Sequence, residues 1–348
     1  MHRIDQPSAV SLLPAPAAAG TPGYFSSAVP GSGTPTIVDN DWCNDIQEEL
    51  ISILTAAGVT PSKTVHNQVL SSLQGLFANS SAIRIRLSGN ANYYVSNAGN
   101  DGTGDGSVGN PWATLQYAVS YVIGRIDTGG WGVTINAANG TYAPFSMGQP
   151  LTGGGALNIV GNAATPSSCV ISTSTNGQSC VTAAFGGLIN INGFKVTATG
   201  TGGIGLNVYQ GGQINVIGGG VEFGACTANH ISALNPSSLI GVSCSAYKIS
   251  GAAAIHISCG FLAQIISTAA ATITITGTPA FSSQFAYSFD NALIDFGSVT
   301  FSGSATGKRF AVANNATINT SGGGASYFPG SIAGTGTNAG TSPYGLYV

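Results

Sequence analysis

The sequence predicts a mainly β protein, a right-handed single-stranded parallel β-helix preceded by a small helical hairpin. Three observations carry that expectation. The first is a row of apolar-x-apolar segments at a fixed step. Phe194-Lys195-Val196, Val221-Glu222-Phe223, Tyr247-Lys248-Ile249, Ile273-Thr274-Ile275 and Val299-Thr300-Phe301 follow one another at 27, 26, 26 and 26 residues. The second is a companion row: Ile189-Asn190-Ile191, Ile214-Asn215-Val216, Ile240-Gly241-Val242, Ile294-Asp295-Phe296 and Ile318-Asn319. A period in this range marks a solenoid, because each repeat hides its apolar face only by stacking on its neighbours. Alternation with a period of two makes the stacked unit a strand. The third is composition. The 348 residues include 51 Gly, and only 6% are charged, so the polar surface is built from Ser, Thr, Asn and Gly, the residues of tight corners.

The elements follow in order. Residues 1–38 are rich in Pro, Gly, Ser and Ala without a period, and read as an extended arm ordered only against a partner. Residues 39–78 read as a helical hairpin. In its first helix Trp42, Ile46, Leu50, Ile53, Leu54 and Ala57 fall at helical spacing, acids crowd the first turns, and Gly58 ends it. Thr60-Pro61 begins the second, with Val69, Leu70, Leu73, Leu76 and Phe77 on its apolar side. Residues 79–130 form a lead-in segment: a strand at NYYV, a Gly/Asp/Asn loop, and an amphipathic helix through Trp112, Leu115, Val119 and Val122. That helix is expected to cover the exposed edge of the first coil. The coils occupy 131–314, and 315–348 is a Gly-rich cap or tail.

Several function classes are disfavoured. No apolar stretch approaches the ~20 residues needed to span a bilayer, so membrane insertion is not expected. Net charge is −3 and the nine Lys and Arg form no patch, which leaves nucleic acid without its electrostatic footing. Cys43, Cys169, Cys180, Cys226, Cys244 and Cys259 form no CxxC pair, and no His stands at zinc-ligand spacing. They read as small buried hydrophobes, and no metal or cofactor is expected. Residues 9–19 faintly echo a signal sequence, but Asp5 precedes them and prolines interrupt them. The expectation is synthesis in a bacterial cytoplasm without secretory export.

Three stretches resemble known proteins. MHRID together with WCNDIQEELISILTAAGVTPSKTVHNQVLSSLQGLF resembles the N-terminal region of bacteriophage tail-fibre and tailspike proteins. YYVSNAGNDGTGDGSVGNPWATLQYAV looks like the leading segment of pectate-lyase-like β-helices, and SATGKRFAVANNATINTSGGGASYFPGSIAGT is similar to the C-terminal stretch of phage tail β-helix proteins. The resemblance implies a homotrimer fixed to the phage baseplate or tail through its N-terminus, with the β-helix meeting bacterial surface polysaccharide. Trp42, Ile46 and Leu50 are then the virion-binding candidates. Some members of the family cleave polysaccharide and others only bind it, so a depolymerase (glycosidase or lyase) and a purely structural spike stay open beside a receptor-binding protein. No family-wide catalytic motif is present to carry over.

The residues themselves give few catalytic candidates. Glycan cleavage commonly uses two carboxylates, and beyond Trp131 the only acids are Glu222, Asp290 and Asp295. Glu222 shares its outward slot with Lys195 and Lys248, which predicts a neutralised charge ladder with the strength of an exposed ion pair, ~0–1 kcal/mol. Asp295 shares a polar slot with Asn190, Asn215 and Asn319, and Asp290 reads as a corner residue. A site assembled across chains would bring Asp127 or Glu222 to a neighbour's acid. His230 and His256, 26 residues apart, are expected to stack in neighbouring coils. The loop from Asn100 to Gly106 has two Asp at a spacing suggestive of calcium, against the plainer reading of a Gly turn. Trp112 and Tyr247 read as core. Tyr209 and Tyr287, near corners, are the glycan-binding candidates.

Overall fold

The computed structural model describes residues 2–27, 34–78, 84–336, 340 and 342–348. The chain divides into two units, 1–83 and 84–348.

In the first unit, α1 (Asn40–Ala56) starts where Asp39 accepts a hydrogen bond from the Trp42 amide, 2.9 Å, and ends before Gly58, whose φ is +70°. Its inward side is Ile51 and Leu54, both buried. The second helix, α2 (Gln68–Ala78), begins seven residues later than Thr60-Pro61 predicts. Thr64 and Val65 are poor helix residues. The Gln68 side chain instead ties the intervening loop, donating to the Thr60 carbonyl and accepting from the Ser62 amide, each at 2.8 Å. The inward face of α2 is also rotated from the expected one: Gln68 and Ser72 are buried while Leu70 and Phe77 lie more than half exposed. The described part of the arm makes polar contacts with the helical hairpin. Arg3 pairs with Glu48 (2.6 Å), Lys63 with Asp5 (2.7 Å), and the Ala17 amide donates to Asp41 (2.7 Å).

The second unit is a right-handed parallel solenoid of about 8 turns. Apart from a two-stranded pair, Ile85–Arg86 with Ile126–Asp127, its strands fall into three parallel sheets of ten, seven and seven strands, here sheets I, II and III. Sheets I and II are the two rows seen in the sequence. In sheet I, Ile189, Ile214, Ile240, Ile265, Ile294 and Ile318 stand in register and are fully buried. In sheet II, Val221, Phe223, Ile249, Ile273, Ile275 and Val299 are buried, Phe301 is half-buried and Thr274 is exposed, as the alternation predicts. Like residues stacked at ~4.8 Å per coil pack without gaps.

Sheet III was not anticipated. It runs from Phe145–Met147 through Ser179–Ala184, Ile204–Tyr209, Asn229–Leu234, Ala253–Gly260 and Ala280–Ser288 to Thr306–Val312. Stacking also begins earlier than residue 131, because Ala91–Val95 is already a strand of sheet I, paired with Val133–Ala137.

Both ends of the solenoid are closed. At the first coil, α3 (Leu115–Arg125), capped by Thr114, buries Leu115, Ala118, Val119 and Val122. Its Gln116 amide accepts from the Ser146 amide (2.8 Å) and donates to the Ser146 carbonyl (3.2 Å), filling the place of a neighbouring strand at the open edge of sheet III. At the last coil Phe328 is wholly buried, Tyr347 stacks on Phe310 at 3.8 Å, and Leu346–Tyr347 pairs with Thr317–Asn319. Five of the six cysteines are buried inside the coils, and Cys43, on α1, is exposed.

Candidate ligand-binding face

The carboxylates of the solenoid are already engaged. Glu222 pairs with Lys195 at 3.0 Å and with Lys248 at 3.4 Å, and the Ser250 hydroxyl donates to it at 2.5 Å. The ladder is the one expected from the period, but its centre is not exposed: Glu222 is 3% accessible. The lysine stems cover it, so the strength of a surface pair does not apply. Burial pushes its pKa up, but Ser250 and the two lysines outweigh that and hold the carboxyl below its ordinary value. It is ionised at neutral pH and has no proton to give a leaving group.

Asp290 lies in the corner before strand Leu293–Asp295 and Asp295 ends that strand, and among the described residues their partners differ. Asn314 donates to Asp290 at 2.7 Å, while Asn319 and the Gly297 amide donate to Asp295 at 3.3 and 3.4 Å. Asp127 accepts from the Gly129 amide and faces Arg86 at 3.6 Å. In the loop from Asn100 to Gly106, Asp101 accepts from the Ala113 and Thr114 amides and the Thr114 hydroxyl, and Asp105 accepts from the Ser107 amide. The loop is therefore a hydrogen-bonded turn at the start of α3. Among the described residues no group of three or more His, Cys, Asp or Glu is placed to hold a metal, and no helix is long and apolar enough to cross a membrane.

His230 and His256 do meet, and they meet inside the core. Their Nδ1 atoms are 2.9 Å apart, and the Tyr247 hydroxyl lies 2.7 Å from His256 Nε2. His230 Nε2 has no partner. Both rings are fully buried among Phe223, Phe281 and Phe285. Burial holds the pKa of His230 down to about 4 and that of His256 well below its ordinary value. A substrate has no path to them, so their role is internal. Trp112 and Tyr247 are core, at 1% and 3% exposure.

The outer face of sheet III carries an open groove of about 360 Å³, walled by Gln116, Ser146, Gln178, Ser179, Thr182, Asn207 and Tyr209, with Pro144, Phe145 and Gly177. None of these side chains is charged. The Asn207 side-chain oxygen, Oδ1, is buried and has no hydrogen-bond partner, an arrangement that favours an incoming donor. The outward row continues in register from Thr182 and Asn207 through Ser232 and Ser258 to Tyr287. Tyr209 and Tyr287 thus share one face, three coils apart. A larger cavity of about 660 Å³ lies in the first unit, where residues 8–14 pass α1. Its walls are arm residues together with Asn40, Cys43, Asn44, Gln47 and Glu48 of α1, none of them buried. Trp42 and Ile46 lie exposed on α1, Phe25 stands edge-on to Trp42 at 5.2 Å, and Leu50 is half-buried.

Residues absent from the sequence reading surround the two tyrosines. Phe185 lies edge-to-face on Tyr209 at 6.2 Å, and Tyr287 stacks on Phe289 at 4.7 Å, with Phe261 edge-on to Phe289 at 5.2 Å. A column comparison at the corners would have found the phenylalanines, since Asn, Asp, Gln or Gly fills equivalent places in other coils. No protein-family model, curated protein or solved structure matches the chain.

Proposed function

We propose that the chain is the receptor-binding protein of a bacteriophage tail fibre or spike. It acts as a homotrimer, docks to the baseplate or tail through its N-terminal unit, and attaches the virion to a bacterial surface glycan, lipopolysaccharide or capsule. The observation that carries the glycan reading is the uncharged groove beside Tyr209. Amides and hydroxyls there both donate and accept, as sugar hydroxyls do, and the ring offers a flat apolar surface to a sugar face. The lead-in segment, the solenoid and the Gly-rich end follow in the order of the family the sequence resembles. Synthesis in the host cytoplasm and action at the host surface go with this reading.

Binding is favoured over cleavage because Glu222, Asp290 and Asp295 each already serve a neighbour and no two of them face one gap. The test is incubation of the purified protein with polysaccharide from candidate hosts, followed by co-sedimentation and by chain-length analysis of the glycan. Retention with unchanged chain length is the expected result. A falling chain length makes the protein a depolymerase, and no retention on any surface glycan leaves a structural spike. Light scattering should return about three times the 34.6 kDa chain mass.

A further inference from the structure

The corner that leaves sheet III carries an unexplained cost at two coils. The first left-handed residue of that corner in successive coils is Phe185 (φ 49°), Gln210 (49°), Asn235 (75°), Phe261 (54°), Asp290 (52°) and Asn314 (53°). That conformation suits Asn and Asp, which hold three of the six places, and it strains a bulky side chain. Phe185 and Phe261 adopt it all the same, and they are 57% and 47% exposed. Leu262, next to Phe261, is also left-handed (φ 64°) and 55% exposed, where the next two coils place Asn291 and Asn315. Backbone strain combined with exposed apolar surface gains the fold nothing, and such combinations gather at binding sites.

The two phenylalanines repeat one arrangement. Each stands edge-on to an aromatic ring supplied by the following coil, Phe185 to Tyr209 and Phe261 to Phe289, at interplanar angles of 78° and 80°. Tyr209 and Phe289 belong to the same outward row, which runs Tyr209, Leu234, Gly260 and then Phe289. The two aromatic posts are therefore three coils apart, roughly 14 Å at the usual strand spacing. Between them stand Leu234 and Gly260 in the same row, with Ser232 and Ser258 buried beside them, and the Ser232 hydroxyl has no hydrogen-bond partner. A side chain at position 260 would collide with the Phe289 ring. Lys308 lies one coil beyond the second post, and Asp290, beside Tyr287, repels anions.

We propose that the two posts and the strip between them form an extended subsite for an uncharged linear oligosaccharide lying along the solenoid axis, with one sugar ring on each post. This rests on the glycan-binding reading above. The experiment uses the full chain against a printed panel of bacterial surface polysaccharides, uncharged and uronate-containing, with Phe185→Asn and Phe261→Asn as variants. The wild type should hold uncharged chains and discriminate against uronate-containing ones. Each variant should lose affinity by about tenfold or more. Its melting temperature should stay the same or rise, because Asn relieves the left-handed strain. Mono- and disaccharide fragments, too short to reach both posts, should bind weakly and respond to no more than one of the substitutions.

Undiminished binding in both variants overturns the subsite and leaves the glycan reading standing. A melting temperature that falls along with binding overturns it too, since that makes the phenylalanines structural. A preference for uronate-containing chains overturns the charge argument. A wild type that holds nothing on the panel removes the glycan reading and the subsite with it.

Discussion

Mild acid should loosen the middle of the solenoid, and the buried histidines set how much. His230 and His256 are neutral inside the core, where no carboxylate touches either ring and the polar neighbour is Tyr247. With its pKa held down to about 4, His230 refuses a proton that the unfolded chain accepts from about pH 6.5 downward. Stability is therefore whole above pH 6.5 and falls as the pH drops toward 4. At about 1.4 kcal/mol per pH unit the loss from His230 is about 2 kcal/mol at pH 5 and about 3 kcal/mol by pH 4. His256, pushed down further, adds to it in the same direction. Glu222, whose pKa is lowered, contributes stability that is lost only below its ordinary value, so it leaves the upper part of this window to the histidines. The assay is urea unfolding followed by circular dichroism near pH 7.5 and near pH 5, for the wild type and for His230→Phe/His256→Phe. The wild type should lose about 2 kcal/mol or more between the two conditions and the double variant less than half of that. Equal losses in the two proteins would refute the argument and place the acid sensitivity elsewhere.

Other substitutions probe the rest of the fold. Ile275→Ala opens a cavity between coils and should cost about 2–5 kcal/mol, while Thr274→Ala on the exposed side should cost within about 0.5 kcal/mol; equal denaturation midpoints would show that the facing of the strand is misassigned. Glu222→Gln removes the charge from a buried three-membered ladder and should cost about 1–3 kcal/mol in the same assay, and loss of a glycan-cleaving activity with unchanged melting would instead make Glu222 catalytic. A chain of residues 84–348 should give the cooperative β-type melt of the solenoid without the first unit, whereas an unfolded product would show that the two units depend on each other.

The limits of the sequence are physical. Sheets I and II were legible because their inward places are almost all Ile, Val or Phe at alternate positions. Sheet III was hidden because it turns Cys180, His230 and His256 inward along with Val181, Ile231 and Ile257, so hydrophobicity alone shows no period of two. Register breaks at Ala253/Ile255 and Phe281/Gln284 disturb it further. The pairing of Lys195, Glu222 and Lys248 followed directly from the 26-residue step. The depth of Glu222 did not, because it depends on how two flexible lysine stems fold over it.

The candidate site shows the same division more sharply. Tyr209 and Tyr287 were visible as aromatics near corners, and Tyr247, at an inward place within its strand, is core at 3% exposure. What separates Phe185 and Phe261 from such residues is the sign of a backbone angle, and no local pattern encodes it. A solenoid supplies the missing comparison. Each coil presents the same backbone conformation at the same corner, so the residues of one column are alternatives for one physical slot. Where Asn235, Asp290 and Asn314 fill that slot at little strain, a phenylalanine in it is unfavourable for folding by the protein's own standard. Within the chain each phenylalanine is partly offset by an edge-on ring, Tyr209 or Phe289. The exposed remainder of each ring is what a ligand can cover, and the uncharged strip between the two posts limits what that can be.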